Sequence, residues 1–196
     1  MTSSEDGTPH SGGSRMFLAA VLVVAALSIG FALLLSRISV EPDAGGLDPG
    51  DLAPEINAAG WLNGEPPRGA GRPGRVTFVH GWFTTCPHCR TRAPTLVALH
   101  ERYGGRGVDF VGLTYEGPEL LPEIEDYVHD TGMTWPNGYG AVKTLQGFRA
   151  EYYPCAWLIG PDGRVWWNSG YGESPVEAIE RALAAGESNT RSRSAN

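Results

Sequence analysis

Cys86-Pro87-His88-Cys89 is the stretch from which the rest of this chain is best read. Upstream lies an apolar run, Val76-Thr77-Phe78-Val79-His80-Gly81-Trp82, with the character of a buried strand. Downstream, a helix is predicted from about Pro87 to Tyr103, with Ala93, Leu96, Val97 and His100 on one face. Pro94 falls inside it and is expected to kink it. A cysteine at a helix start meets unpaired backbone N–H groups and the positive end of the dipole, so its thiolate is favoured. Pro87 suits the first helical position, where a missing N–H costs nothing. Cys89 sits about one turn further on, within reach of Cys86. The pair reads as a dithiol/disulfide switch whose first sulfur is ionised and accessible.

Plainer readings fit less well. Structural zinc needs four ligands, yet the only other cysteine is Cys155 and no suitably spaced histidine pair follows. A purely structural bond between Cys86 and Cys89 would close a very small loop and remove little chain entropy. No metal and no cofactor are therefore expected. A net charge of -7 with scattered basic residues argues against a nucleic-acid partner.

Residues 16–35, MFLAAVLVVAALSIGFALLL, carry no charge and are long enough to cross a ~30 Å hydrocarbon core. Leu33-Leu34-Leu35-Ser36-Arg37 offers no small-x-small cleavage site, so an uncleaved transmembrane helix is expected rather than a signal peptide. Arg15 and Arg37 flank it on either side and say little about orientation. Reversible disulfide chemistry suits an oxidising compartment, which puts the domain on the extracytoplasmic side of the cell membrane. Residues 1–15, rich in Ser, Gly and Thr, read as a disordered cytoplasmic tail. The expected order then continues with a Pro/Gly linker over 36–50, a folded domain over 51–185 and a flexible tail over 186–196.

Within the domain, strand and helix patterns alternate. Residues 54–70 suggest an extended hairpin around Asn63-Gly64, and 108–113 a second buried strand. A helix over 118–131 would carry Leu120, Leu121, Ile124, Tyr127 and Val128 as its stripe, followed by a short helix over 141–149. Strands at 155–160 and 164–168 are joined by the turn Pro161-Asp162-Gly163. The last helix starts with Ser174 as N-cap, Pro175 first and Glu177 closing a capping box, with Val176, Ile179 and Leu183 toward a sheet. An α/β domain with a mixed sheet follows.

The order of strand, Trp82-Phe83-Thr84-Thr85-Cys86-Pro87-His88-Cys89, helix with Pro94, and Tyr153-Pro154 before a strand resembles thioredoxin. The entry segment Gly50-Asp51-Leu52-Ala53-Pro54 and the apolar stretch are similar to the TlpA/ResA-type, membrane-anchored thiol–disulfide oxidoreductases. The resemblance covers roughly residues 50–185. It implies a thioredoxin-like mixed sheet flanked by helices, protein thiols and disulfides as substrates, and a membrane or soluble redox partner that resets the dithiol. It further implies Cys86 as the attacking cysteine, Cys89 as the resolving one, and Pro154, after Tyr153, as a cis-proline beside them.

Three positions depart from that pattern. Arg92 stands where the family often carries a glutamate; it cannot accept a proton, and its charge would favour thiolate. His80 falls where thioredoxin keeps a buried acid, and reads either as a proton shuttle for Cys89 or as a hydrogen-bonded core histidine. Cys155 follows the proline and reads as a small buried thiol or as a third redox partner. Trp82 and Phe83 read either as rim around the dithiol or, as is usual for aromatics leaving a central strand, as core. Glu116 at a strand end either faces the site or, on the plainer reading, is a solvated carboxylate.

A helix N-terminus is worth up to ~2 kcal/mol to a thiolate, about 1.5 pKa units, or roughly 40 mV for two electrons. His88, if cationic, and Arg92 would add to this, and a stabilised thiolate makes the pair a stronger oxidant. The Pro-His dipeptide also resembles DsbA-type oxidases, whereas the TlpA/ResA-type scaffold is commonly a reductase. A moderately oxidising exchanger is expected. A peroxiredoxin would need Thr or Ser where Phe83 stands, three residues before Cys86. A non-catalytic binding or metal-carrying module is the other rival, and it predicts that Cys86→Ser is silent.

Overall fold

The computed structural model describes residues 45–66 and 75–194, with side chains as far as Gly186. The tail over 1–15, the apolar stretch over 16–35, most of the linker and residues 67–74 lie outside the described residues. Among the described residues, no helix is long and apolar enough to cross a membrane.

The elements in chain order are β1 (Gly60–Leu62), β2 (Val76–Gly81), α1 (Pro87–Tyr103), β3 (Val108–Leu113), α2 (Leu121–Thr131), β4 (Asn137–Tyr139), α3 (Val142–Gly147), β5 (Cys155–Ile159), β6 (Val165–Asn168) and α4 (Pro175–Ser194). Six strands form one sheet in the order β1-β4-β3-β2-β5-β6. The central strand β2 is buried along its whole length. It pairs parallel with β3, Val76 opposite Val108 through Gly81 opposite Leu113, and antiparallel with β5, Gly81 opposite Cys155.

Side chains alternate across a strand, so the sheet feeds two cores. Val76 and Phe78 of β2, Phe110 of β3 and Leu158 of β5 meet Leu99, Tyr103, Ile124, Tyr127 and Ile179 from α1, α2 and α4. On the other face, Val79, Val111, Trp157 and Ile159 meet Leu145 and Phe148 at α3. Pro94 lies inside α1 without ending it, and the buried residues of that helix are Cys89, Ala93, Leu99 and Tyr103. Leu96, Val97 and His100, expected as its inward stripe, are only half-buried. The capping box of α4 forms as expected: Ser174 N–H donates to Glu177 Oε2 at 3.1 Å and Glu177 N–H to Ser174 Oγ at 3.2 Å. Among its residues with described side chains, Ala178, Ile179 and Ala182 are buried, while Val176 is exposed. The helix runs on to Ser194, through most of what composition alone marks as a tail.

The extended segment before β2 supplies an edge strand of the sheet. Gly60–Leu62 pairs antiparallel with β4, a strand that the sequence pattern does not announce. Residues 67–70, which would supply a hairpin's second arm, lie outside the described residues. Asn63 (φ 57°) and Gly64 (φ 93°) do make a turn. Asn63 Nδ2 donates to the Met133 carbonyl at 2.6 Å, which ties the turn to the loop before β4.

The opposite edge is covered by the end of the stretch read as linker and by the first residues of the expected domain. Gly50 N–H donates to the Val165 carbonyl at 2.8 Å, Val165 N–H to Asp51 at 2.9 Å, and Ala53 N–H to Gly163 at 2.9 Å. Leu47 is 6% exposed, and its carbonyl accepts from Asn168 Nδ2 at 2.9 Å. Residues 45–53 thus lie along β6, where one buried leucine and an asparagine amide hold a stretch that looks like spacer.

Candidate functional site

The end of β2 delivers Cys86 to the start of α1. Cys86 is the N-cap residue, with φ -80° and ψ 107°, and Pro87 takes the first helical position. Cys86 and Cys89 form a disulfide, with Cα atoms 5.3 Å apart. Cys86 Sγ accepts a hydrogen bond from the Cys89 N–H at 3.0 Å. That donor is one of the N–H groups a helix start leaves unpaired, and it is aimed at the sulfur that a thiolate would occupy.

Neither sulfur is as open as expected. Cys86 is 3% exposed and Cys89 is 4% exposed. Both belong to the core that Phe78, Trp82, Ala156 and Leu158 share, with half-buried Phe83 and Tyr153 packed against it. Thr85, Pro87 and His88 around the pair are exposed, so the disulfide lies just under the surface. Three rings cluster here: Phe83 and Tyr115 centroids are 5.8 Å apart, Phe83 and Tyr153 5.5 Å, and Tyr115 and Tyr153 5.7 Å. The Tyr153–Pro154 bond is cis, as the thioredoxin likeness implies. Trp82, a rim candidate from sequence, is a core residue stacked 4.5 Å from Tyr127. Arg90 lies 4.8 Å over the same tyrosine ring.

His80 is 2% exposed. Trp135 Nε1–H donates to His80 Nε2 at 3.0 Å. An indole nitrogen only donates, so Nε2 is the unprotonated nitrogen and the ring is the neutral Nδ1–H tautomer. Burial drives the imidazole pKa down to about 3. The basic lone pair is occupied, and the geometry is that of a hydrogen-bonded core histidine rather than a base waiting for a proton. A cavity of about 40 Å³ adjoins the dithiol, lined among others by His80, Cys89, Arg92, Pro154 and Ser169. Arg92, one turn after Cys89, is exposed.

Cys155 is a free, buried thiol. It packs with Val79, Phe148 and Trp157 on the sheet face opposite the one that holds Cys86 and Cys89. Burial raises its pKa to about 12. Its burial fits the small core thiol, while Cys155 also lines the cavity that Cys89 and Pro154 border, as a third redox partner would. Its neighbour across the ladder is Gly81, where an added Cβ would lie 2.6 Å from Cys155 Sγ and 2.9 Å from the Tyr153 ring. Gly81→Ala is expected to cost roughly 1–3 kcal/mol of stability by overpacking. Cys155→Ala in the same chain should recover part of that loss in urea unfolding; no recovery would mean that the sulfur is not the obstacle.

Glu116 is the residue that reading the sequence places wrongly. It is 8% exposed, not solvated. Its Oε2 accepts from Thr84 N–H at 2.8 Å and from Thr114 Oγ1 at 3.0 Å, and its Oε1 accepts from Thr84 Oγ1 at 2.6 Å. A lone glutamate after a strand carries no sign of burial; two threonines flanking it in space are visible only once β2 and β3 are paired.

A mixed sheet of this order, with a Cys-x-x-Cys pair opening the helix after the central strand and a cis proline starting the next strand over, defines a thioredoxin-like fold. No family model matches the chain. In sequence it is similar to the thiol-disulfide oxidoreductase ResA of Oceanobacillus iheyensis, 25% identical over 95 residues, which cover 47% of this chain and 47% of that one. The chain spans about half the length of the ResA proteins it matches. Among solved structures it is similar to the thioredoxin domain of a thiol-disulfide oxidoreductase from Bacteroides vulgatus, with a TM-score of 0.60 at 18% identity, covering 70% of this chain and 99% of that one. It is also similar to a thiol-disulfide isomerase from Corynebacterium glutamicum, with a TM-score of 0.57 at 20% identity, covering 71% and 97%. These structural likenesses establish the fold.

Proposed function

We propose that this protein is an extracytoplasmic thiol–disulfide oxidoreductase, tethered to the cell membrane through residues 16–35, that exchanges disulfides with protein substrates through Cys86 and Cys89. The observation that carries the reading is the Cys89 N–H aimed at Cys86 Sγ at the first turn of α1. The names of its relatives in sequence point the same way.

In the reductive direction, Cys86 thiolate attacks a substrate disulfide, forming a mixed disulfide and expelling one substrate thiolate. Cys89 thiolate then attacks Cys86 Sγ, closes the internal disulfide and releases the second thiolate, so two electrons pass to the substrate. The reverse sequence donates the disulfide. Cys89 must lose a proton on the way. His80 Nε2 is taken by Trp135, and Arg92 accepts nothing, so the proton leaves through the cavity beside Cys89, which has room for a water. His80 then acts as a neutral support under the dithiol, and Pro154 and Tyr153 line the approach.

Equilibration with glutathione tests both activity and direction. The domain is expected to be reduced by dithiothreitol and to settle at a potential above about -270 mV, the value for thioredoxin. A potential at or below that value reverses the assigned direction. A disulfide inert toward any dithiol, as complete occlusion would make it, overturns the function.

A further inference from the structure

Resting on that function, we propose that Glu116 is a positioning residue that clamps the turn carrying Cys86 and sets the dithiol's redox equilibrium through its charge. Thr84 offers both its N–H and its hydroxyl to the one carboxylate, at 2.8 and 2.6 Å, two residues before Cys86. Thr114 supplies a third donor at 3.0 Å, and its oxygen accepts from the Glu116 N–H at 3.2 Å, so its proton is directed at the carboxylate. The Glu116 carbonyl in turn accepts from Gly140 N–H at 2.6 Å. The side chain therefore fastens the turn between β2 and α1 to the end of β3, while the Glu116 backbone carbonyl ties the same residue to the end of β4.

Glu116 is also the only carboxylate among the buried residues described. Among those residues its side-chain partners are hydroxyls and an amide, which satisfy its lone pairs without cancelling its charge. The other charged or titratable groups closest in sequence to the dithiol, His88, Arg90 and Arg92, are exposed on α1, and Arg90 is drawn toward Asp130 at 3.8 Å. Exposed charges are screened, whereas a buried one is felt more strongly. A buried negative charge disfavours the Cys86 thiolate and so favours the disulfide, which offsets part of what the helix start does in the opposite direction.

Two substitutions separate charge from clamp. In Glu116→Gln the amide can still accept from Thr84 N–H and donate to its hydroxyl, so the turn is kept while the charge is lost. The Cys86 thiolate, followed by ultraviolet absorbance of the reduced protein, should then titrate lower. The equilibrium with glutathione should shift toward the reduced protein on the order of three- to tenfold, where tenfold is about 30 mV for two electrons. Thr84→Val removes one donor, leaves the charge less compensated and should move both readings the other way, by about twofold. Opposed signs support the inference. Unchanged readings in both variants, or shifts of the same sign, overturn it. If Glu116→Gln does not fold, Thr84→Val decides alone: a higher thiolate titration supports the charge effect, and no change or a fall removes it. Wild-type protein that fails to exchange with glutathione sinks the oxidoreductase function itself, a separate result from wild-type exchange with unmoved variants.

Discussion

Cys86→Ser should lower the rate of disulfide exchange by on the order of 10³-fold or more, because a serine hydroxyl can form no mixed disulfide and is a far weaker nucleophile than a thiolate. The loss should fall on turnover with every substrate alike, since the chemistry and not recognition is removed. Cys89→Ser is expected to behave differently. Cys86 can still attack, but nothing resolves the adduct, so a mixed disulfide with substrate accumulates and is read directly by mass spectrometry. If Cys86→Ser retains exchange, then Cys89 carries the attack and the helix-start argument fails. The same trap in cells recovers whatever client stays bonded to Cys86.

The second large effect is on stability against acid. His80 is buried, and its pKa is lowered from 6.5 to about 3 by loss of solvent. The unfolded chain therefore binds this proton more readily than the folded one. Stability from this group is complete above pH 6.5 and is lost as pH falls through the interval from 6.5 to about 3, at about 1.4 kcal/mol per pH unit. At pH 4.5 the loss from His80 alone is roughly 3 kcal/mol, a large share of the stability of a small domain. Protonation would also set two donors against each other, since the Trp135 N–H already points at Nε2. Urea unfolding at pH 7 and pH 4.5 measures the difference. In His80→Gln, which keeps an acceptor for the indole but does not titrate, the gap should shrink by that amount. An equal gap in both proteins assigns the acid sensitivity elsewhere.

What the sequence tells of this fold is what is local. The runs Val76–Gly81 and Val108–Leu113 are apolar over their length, and the helix between them begins at a proline after a cysteine; all three lie where the pattern puts them. The α4 cap is equally local, two residues three positions apart bonding to each other. Features created by contact between distant segments are silent. Asn137-Gly138-Tyr139 becomes a strand because β1 and β3 flank it, not through any alternation of its own. Leu47 sits among glycines and prolines typical of a spacer, and only the Phe148 and Trp157 side of the domain gives it a place to be buried.

The site divides in the same way. The dithiol and the cis proline can be read from residue order and the thioredoxin likeness. The state of His80 cannot, because it depends on an indole that lies 55 residues away. Nor can the shallow burial of the sulfurs, in a core against which Phe83 and Tyr153 pack from two separate loops.

The covered flank along β6 bears on how a molecule with the proposed function would survive its own clients. Partly unfolded chains zip readily onto any free row of amides and carbonyls. Here the 50–53 stretch occupies one margin, and among the described residues the opposite margin offers only the three residues of β1. Under the proposed function, a visiting polypeptide would find little to adhere to except the end where sulfur is exchanged, and would depart once its bond has changed hands.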